Sequence, residues 1–491
     1  MATLSIHQGT QTFIVTFQAP MLLASVLDDA GISQAQPCGG RGSCGKCAVS
    51  IFGDICAPTA AEEKLGTRLA CQTVLWGNAE VTLPAPLTIQ QIENGSSADL
   101  LPLNPMPGRY GAAIDIGTTT IALLLYDLCS GSCLGASSML NPQTAVSADV
   151  IGRIDAALNG RSALLQQHVL SAVKTLLASA SAQAGIHADE ISSLVITGNT
   201  TMLYLLMERN PNSLSRAPFI ADCLFAQEVN FDSRRIYLPA CLHAFVGADT
   251  SCAILASEMT QHSETSLLCD VGTNGELALW HHGTLYIAST AAGPAFEGAG
   301  ISCGCTSIPG AIDRVNLVNG TLHCHTIGNQ PPVGICGSGL LDAVAAALDL
   351  GLLDETGFIE DDNIPLAGTL KLTQNDIRSV QLAKAATYAG IMTLLDAANC
   401  SPDEVTRLYL AGGFGSRLNI RSAVRTGLIP AALSTKVHVI GNAALDGAAR
   451  LLTDTKARDY ITALQRMTKH IRLDGNPRFA DLYVEAMLFE E

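Results

Sequence analysis

Basic residues are scarce in this chain and form no block anywhere. The 28 Lys and Arg residues stand against 44 Asp and Glu residues, which gives a formal net charge of -16. Proteins that bind the phosphate backbone of nucleic acids carry a clustered positive surface. The charge balance therefore argues against a nucleic-acid partner.

Long apolar runs and a targeting signal are missing as well. No window reaches about 18 uninterrupted apolar residues, and the opening MATLSIHQGTQTF lacks a basic segment followed by an apolar stretch. Neither secretion nor membrane spanning is indicated. We therefore expect a cytoplasmic protein without a membrane partner.

Aromatic residues make up only 5% of the chain, so its positive mean hydropathy comes from Ala, Leu, Ile and Val. These residues fill buried parallel or mixed sheets that are covered by helices, and they favour an α/β architecture. A chain of 491 residues is too long for one core, and two to four domains are expected.

Cysteine, in contrast, is abundant. Of the 16 cysteines, four lie near the N-terminus in the spacing C-x5-C-x2-C-x23-C: Cys38, Cys44, Cys47 and Cys71. Three thiolates from the glycine-rich PCGGRGSCGKCAV and a fourth from RLACQT can enclose a 2Fe-2S cluster, because the glycines let backbone amides turn toward its sulfurs. A structural zinc site, which usually needs two C-x2-C pairs, and buried thiols without a metal stay open as alternatives. Disulfides are the weaker explanation in a reducing compartment.

The chain divides into a small N-terminal domain, a linker and a long C-terminal part. Residues 1–84 alternate short apolar runs with turns around one short helix, which predicts a ferredoxin-like α+β domain of the β-grasp type. Residues 85–108 are rich in Pro, Ser, Asn and Gly without a sustained period, as linkers are. Residues 109–491 alternate strand and helix patterns, which is typical of a layered α/β domain.

The C-terminal part contains an internal echo. The segments YGAAIDIGTTTIALLLYDLCSG and SLLCDVGTNGELALWHHG share a strand, an Asp-x-Gly-Thr turn and a second strand, with Asp115 and Asp270 in equivalent places. The repeat is too long for a solenoid and fits two similar subdomains, roughly 109–265 and 266–491, which face each other across a cleft.

These two turns have the chemistry of a nucleotide site. Their glycines permit close approach, Thr hydroxyls and backbone amides can bind phosphate oxygens, and a carboxylate can hold hydrated Mg2+. We expect Asp115 and Asp270 to bind Mg2+. The phosphate ligands are expected to be Gly117, Thr118, Thr119, Gly272, Thr273 and Asn274. The string LAGGFGSR, a strand that ends in Gly412 and Gly413 before a helix, offers bare backbone to the adenosine.

Other residues carry a functional and a structural interpretation side by side. Gly337 and Ser338 open an apolar helix and could meet the base or only cap the helix. Glu276 could position a water as a catalytic residue, or could be a solvated strand carboxylate. Asn199 and Thr200 could line the rear of the cleft or cap the helix that follows them.

In order and content these motifs resemble the acetate and sugar kinase, Hsp70 and actin superfamily of ATPases. AAIDIGTTTIALLL stands in the position of phosphate motif 1, LLCDVGTNGELAL in that of phosphate motif 2, and YLAGGFG in that of the adenosine motif. The ferredoxin loop narrows the resemblance to the reductive activators of corrinoid proteins. Four stretches of this sequence resemble that family's signature stretches: TGNTTM, AGPAFEGAGI, GICGSGLLDA and GNAALDGA.

The resemblance implies a two-lobed actin/Hsp70-like ATPase domain with duplicated subdomains behind the ferredoxin domain. It further implies an enzyme that uses MgATP and its 2Fe-2S cluster to return an inactive Co(II) corrinoid to Co(I). The expected partners are a corrinoid protein of a methyltransferase system and an upstream electron donor. The expected assembly is a homodimer joined through its ATPase domains, and an anaerobic cell is the expected setting.

Two other functions stay open from the sequence. A small-molecule kinase of the same superfamily would explain the ATP site but would leave the cluster without a role. A redox-sensing module that binds partners under ATP control, in the manner of a chaperone, would use the cluster without net electron delivery.

Overall fold

The computed structural model describes residues 1–8, 11–30, 32, 40, 42, 45, 47–83, 98–272, 274–415 and 418–489. Three predicted site residues, Cys38, Cys44 and Thr273, lie outside these described residues, as do residues 85–97 of the predicted linker. None of the helices within these ranges combines the length and the apolar character that crossing a bilayer requires.

The N-terminal domain is a mixed sheet with a helix on one face. Its elements are β1 (Ala2–Gln8), β2 (Gln11–Phe17), β3 (Met21–Leu22), α1 (Leu23–Asp29), β4 (Ala48–Ile55), α2 (Ala60–Leu65), β5 (Arg68–Leu69) and β6 (Val74–Leu83). The strand order is β2-β1-β6-β4-β5, with β1 and β6 parallel and β3 paired to β6. Alternate residues of β6 are buried against α1, whose Leu23, Val26 and Leu27 face the core. This confirms the predicted β-grasp arrangement.

The first lobe is built on a six-stranded sheet in the order β11-β12-β10-β7-β8-β9. Its strands are β7 (Tyr110–Ile116), β8 (Thr120–Asp127), β9 (Cys133–Leu140), β10 (Ile191–Gly198), β11 (Phe225–Phe231) and β12 (Arg234–Ala240). Its helices are α3 (Val150–Ala156), α4 (Ser162–Ala184), α5 (Thr200–Leu206) and α6 (Ala248–Ser257). A π-helical turn, Ala157–Arg161, joins α3 to α4.

The second lobe repeats this plan, with the order β22-β21-β13-β14-β15-β23. The strands of this sheet are β13 (Ser266–Val271), β14 (Gly275–His281), β15 (Thr284–Thr290), β21 (Arg407–Ala411), β22 (Val437–Gly441) and β23 (Thr468–His470). Between β15 and β21 the chain adds two small sheets, formed by β16 (Ala311–Val318), β17 (Thr321–Thr326), β18 (Gly334–Ile335), β19 (Asn363–Pro365) and β20 (Lys371–Thr373). The helices in this part of the chain, not all of which pack on this sheet, are α7 (Gly337–Asp349), α8 (Gln374–Ala397), α9 (Gly412–Gly415), α10 (Ile420–Arg425), α11 (Ala443–Thr453), α12 (Ala457–Met467) and α13 (Pro477–Glu485).

The duplication expected from the two Asp-x-Gly-Thr turns is present in the strand pairing. In each lobe three antiparallel strands, β7-β8-β9 or β13-β14-β15, are extended by parallel strands on the side of the first. Asp115 lies near the end of β7 and Asp270 near the end of β13. The two acids therefore occupy the same place in two copies of one fold.

After β22 the chain crosses back to the first lobe. Leu445 and Leu452 of α11 are fully buried in one cluster with Ala113 of β7 and Val195 of β10. The residues near 443–461 thus pack on the first sheet, although the sequence repeat placed them in the second subdomain. Local periodicity specifies a buried helix face but not which sheet covers that face.

The end of the predicted linker is bound to the first lobe. Met106 is buried, and its backbone N–H donates to the carbonyl of Leu452 at 2.9 Å. The N-terminal domain also contacts this lobe, because Arg161 Nη2 lies 3.2 Å from Asp28 Oδ2. The contact between Asp28 and Arg161 places the N-terminal domain next to the first lobe.

Candidate nucleotide and cluster sites

A cavity of about 270 Å³ lies between the two lobes, at the ends of β7 and β13. It gathers most of the residues predicted from the sequence. Those in its lining are Asp115, Gly117, Thr118, Thr119, Asn199, Asp270, Gly272, Asn274, Glu276, Gly337, Ser338, Gly412 and Gly413. Residues almost 300 positions apart in the chain therefore line one cleft.

The first turn is held from behind by two fully buried side chains. Asn141 Nδ2 donates to the carbonyl of Gly117 at 2.8 Å, and Arg153 Nη2 donates to the carbonyl of Thr118 at 2.5 Å. A Cβ on Gly117 would lie 2.7 Å from the Thr120 carbonyl oxygen, so the tight turn requires glycine. With its carbonyls bound on the buried side, the turn can offer its amides to an anion in the cleft.

The second turn is coupled to the adenosine motif. Asp270 and Glu276 are directly opposite each other on β13 and β14. Gly412 has a φ of +87°, and a Cβ there would lie 2.5 Å from Asp270 Oδ1. Gly412 is therefore needed both for its backbone conformation and for the room that it leaves to the carboxylate.

Carboxyl groups are concentrated in the cleft. Burial, with the charges of Asp249 and Asp270 nearby, raises the pKa of Asp115 to about 8. Burial, with Asp249 and Glu297, raises the pKa of Asp270 to about 7. Burial also raises the pKa of Asp249 to about 6 and that of Glu276 well above its usual value. A divalent cation such as Mg2+ would relieve their mutual repulsion. No three of the described acids are grouped closely enough to hold a metal by themselves, so the cation would need phosphate or water oxygens to complete its ligands.

The far end of the cavity has aromatic walls. The rings of Phe296 and Phe414 stack with centroids 4.9 Å apart and an interplanar angle of 12°. A Cβ on Gly337 would lie 2.0 Å from the Phe296 carbonyl, whereas one on Gly413 would meet nothing within 4 Å. Gly337 thus allows close packing, and Gly413 leaves open space in which a nucleoside can lie.

The structure decides between several of the paired interpretations. Glu276 is only 7% exposed, so the solvated alternative is wrong. Ser338 Oγ donates to the Asp313 carbonyl at 3.0 Å, and the N-cap of α7 is Cys336. Ser338 is therefore not the residue that caps this helix.

For Asn199, both interpretations hold. Its Oδ1 accepts the N–H of Met202 as the N-cap of α5, while its Nδ2 donates to Thr118 Oγ1 at 3.1 Å. Thr200 lies behind the cavity wall, where its hydroxyl donates to the His243 carbonyl. Asn199 thus supports the first turn through Thr118, and Thr200 supports the wall.

Sequence reasoning missed several polar residues of the cleft, among them Asp249, Glu297 and Asn442. Asp249 is in the first turn of α6, and Asn442 is the N-cap of α11. Glu297 Oε2 accepts a hydrogen bond from Thr119 Oγ1 across the cleft. The signature stretches AGPAFEGAGI and GNAALDGA contain two of them and were the signal available.

The described half of the cysteine quartet has the geometry of a metal site. Cys47 and Cys71 are buried, and their Sγ atoms are 3.3 Å apart. This is too long for a disulfide of about 2.05 Å and close to the ~3.8 Å that separates two sulfurs on one tetrahedral ion. The N–H of Ala70 donates to the Cys47 carbonyl at 2.9 Å and holds the two segments together. The residues present thus fit a thiolate-bound metal.

Comparison with known proteins agrees with this geometry. Residues 264–491 match the family model described as the C-terminal domain of RACo, the ASKHA domain, and residues 110–262 match the RACo middle region. Corrinoid activation enzyme RamQ of Eubacterium limosum is 34% identical over an alignment of 419 residues that covers 77% of this chain and 70% of that protein. The Co(II) methylated amine-specific corrinoid protein reductase of Methanosarcina barkeri is 25% identical over 420 residues, 76% of each chain.

A solved structure extends the match to the whole chain. The reductive activator for corrinoid, iron-sulfur protein superposes with a TM-score of 0.72 at 26% identity, and the match covers 100% of this chain and 98% of that one. The matched segments include both lobes of the cleft. This chain belongs to the family of reductive activators of corrinoid proteins.

Proposed function

We propose that this chain is an ATP-dependent reductive activator, which transfers one electron to the Co(II) corrinoid of a methyl-transferring corrinoid protein and so restores Co(I). The observation that carries the proposal is the union, in one chain, of a buried cysteine pair in a β-grasp domain with an acid-lined cleft between duplicated lobes. The names of the relatives support the same reaction. A small-molecule kinase would leave the cysteine pair without a role, so that function is not favoured.

The electron carrier in this proposal is an iron-sulfur cluster of the 2Fe-2S type. Its proposed ligands are Cys38, Cys44, Cys47 and Cys71, and the 3.3 Å contact between the sulfurs of the last two supports this choice. When bound there, the group supplies reversible one-electron reduction. The protein contributes a buried environment and a fixed turn around Cys71.

The nucleotide in this proposal is MgATP. Asp115 and Asp270 hold Mg2+ from opposite lobes, and Glu276 orients a water. The phosphates lie against Gly117, Thr118, Thr119, Gly272, Thr273 and Asn274. The adenosine lies beside Gly412 and Gly413, with Gly337 and Ser338 near the base.

ATP can drive the reduction because it contacts both lobes at once. Thr119 and Glu297 join the lobes across the cleft at the place where the phosphates would lie, and Asp115 and Asn442 tie the first turn to the segment that crosses from β22 to α11. A nucleotide that binds at these contacts changes the relative stability of open and closed arrangements. A 100-fold preference for one arrangement is worth about 2.7 kcal/mol, and the same coupling acts on any partner that prefers that arrangement.

The partners in this proposal follow from the reaction. A corrinoid protein receives the electron, and an upstream reduced electron carrier returns the cluster to its reduced state. We further propose a homodimer joined through the ATPase domains, with the corrinoid protein bound near that junction. Analytical ultracentrifugation of the protein with and without MgATP tests this assembly.

The decisive experiment is anaerobic. Pre-reduced protein is mixed with a Co(II) corrinoid protein, with or without MgATP, and the Co(I) absorption is followed. Cys47→Ser should abolish Co(I) formation, whereas Cys129→Ser, which changes an exposed cysteine outside the quartet, should not. Asp270→Ala should remove the dependence on nucleotide. Equal Co(I) formation with and without MgATP, or in Cys47→Ser, would refute the proposal.

A further inference from the structure

Gln72, the residue after the fourth cysteine, ties that cysteine to the cluster loop. Its Nε2 donates to the Gly40 carbonyl at 2.7 Å and to the Cys71 carbonyl at 3.0 Å. The amide has two hydrogens, so the 3.8 Å contact between the same nitrogen and Cys71 Sγ is a weak N–H···S hydrogen bond that shares one of them with a carbonyl. One amide group thus contacts a ligand sulfur and a backbone segment 32 positions away.

The loop is shaped to accept this side chain. Gly42 has a φ of +73°, and a Cβ there would lie 3.0 Å from Gln72 Cδ and 3.1 Å from its Cγ. The glycine therefore serves a second purpose besides its left-handed conformation, because it lets the loop lie directly on the Gln72 side chain. Two independent features, a hydrogen bond and a close approach, fix the amide at this place.

The turn that carries Gln72 is itself rigidly held. The carboxylate of Glu62, only 2% exposed, accepts the Leu69 N–H at 2.8 Å and the Thr73 hydroxyl at 3.0 Å. It also accepts Arg68 Nε at 3.0 Å. Both ends of the turn around Cys71 are bound to one buried anion, so the distance between Gln72 Nε2 and Cys71 Sγ cannot easily relax.

We propose that Gln72 sets the reduction potential of the cluster. This inference rests on the proposed function, because it requires a cluster on Cys71. Reduction by one electron adds negative charge that is shared by the ligand sulfurs, and a donor aimed at such a sulfur stabilises the reduced form. Gln72 therefore raises the potential, and it positions the loop over the ligand without being a ligand itself.

The test compares two substitutions of Gln72. If Gln72 had only a structural role, both would shift the reduction potential in the same direction. Gln72→Leu keeps the approximate size and removes the donor, whereas Gln72→Lys keeps a donor and adds a positive charge. We expect Gln72→Leu to lower the equilibrium constant for reduction about tenfold. For one electron this is a shift of about 59 mV toward more negative potential. Gln72→Lys should shift the potential in the opposite direction.

The readouts are anaerobic redox titration, iron content and the spectrum of the reduced cluster. Gln18→Leu, on an exposed glutamine of the same domain, serves as the control and should leave the potential unchanged. Unchanged potentials, shifts of the same sign in both variants, or loss of iron from both would each overturn the tuning role. Wild-type protein that binds no iron would instead refute the proposed function. Failure of the tuning role and failure of the proposed function are therefore distinguishable.

Discussion

Asn442 Nδ2 donates a 3.2 Å hydrogen bond to Asp115 Oδ2, although 327 positions separate the two residues in the chain. The same side chain caps α11, because its Oδ1 accepts the Leu445 N–H at 3.0 Å. The helix that crosses back to the first lobe therefore begins on the carboxylate expected to hold Mg2+. A change at Asp115 can reach the packing between the lobes through this one residue.

Asn442→Ala should weaken MgATP binding about tenfold, because the Asn442 hydrogen bond, worth about 1.5 kcal/mol to the charged carboxylate, lowers the pKa of Asp115, and without it Asp115 holds its proton more firmly against Mg2+. The substitution also removes an N-cap, at a cost of about 1 kcal/mol in the free energy of unfolding. Asn476→Ala removes the N-cap of α13 in the same way but lies outside the cleft lining. Titration calorimetry should show altered nucleotide affinity in Asn442→Ala alone; equal affinities in the two variants would contradict this.

The raised carboxyl pKa values predict a pH-dependent stability. The folded state holds a proton on Asp115 up to about pH 8, while the unfolded chain releases it near pH 3.8. The free energy of unfolding should therefore fall as pH rises from about 4 to about 8 and then level off. Asp115→Asn should remove part of this slope and raise the Tm of nucleotide-free protein at pH 8 by at least roughly 2–4 °C.

The same protons compete with the cation. MgATP affinity should weaken as pH falls below about 8, because Asp115 and Asp270 must lose their protons to bind Mg2+. Titrations between pH 6 and pH 8.5 in matched ionic strength measure this effect. A flat affinity over that range would show that neither carboxylate binds the metal.

The features found from the sequence are those that a short segment specifies alone. A strand, an Asp-x-Gly-Thr turn and a second strand form one hairpin, so Asp115 and Asp270 could be placed before any fold was known. Cys47 and Cys71 could likewise be proposed as cluster ligands from the cysteine spacing, because three of the four cysteines come from one loop.

The features that were missed depend on which distant segments pack together. Asp249 and Asn442 begin helices and look like ordinary capping residues until α6 and α11 meet at the cleft. Arg153 looks like a helix surface residue, yet it is fully buried behind the first turn. The return of α11 to the first sheet could not be predicted, since its apolar face is compatible with either lobe.

Arg153→Met should weaken nucleotide binding at least tenfold although Arg153 does not line the cavity. The substitution leaves the Thr118 carbonyl without its buried donor, and an unpaired carbonyl of this kind costs about 1–3 kcal/mol. The first turn can recover this energy only by rotating toward the cleft.

Lys384→Met is the matched control, because Lys384 is a buried cation that donates to the Leu488 carbonyl in the second lobe. Both variants should lower the Tm. Only Arg153→Met should lose affinity when binding is measured at a temperature where both proteins are folded. Normal affinity in Arg153→Met would remove the proposed support of the phosphate turn.

Gly413→Val should separate binding from stability. A Cβ at Gly413 meets nothing within 4 Å, so the side chain should enter the cavity and leave the Tm of nucleotide-free protein nearly unchanged. It should reduce ATP affinity at least tenfold by filling the space expected for the nucleoside.

Gly337→Ala provides the opposite case, since its Cβ would lie 2.0 Å from the Phe296 carbonyl and the lobe must deform. We expect a clear loss of Tm in that variant. Unaltered ATP affinity in Gly413→Val would place the nucleoside elsewhere in the cleft.

The 3.3 Å approach of Cys47 and Cys71 bears on how the protein must be handled. Two sulfurs at that separation need to move only about 1.3 Å to form a covalent bond with each other. In freshly translated or chelator-treated protein, oxygen would oxidise the two thiols to a disulfide. The two sulfurs would then no longer be available to bind a metal. Reconstitution is therefore expected to succeed only when a thiol reductant is added before iron, and the order of addition becomes a practical diagnostic of an intact site.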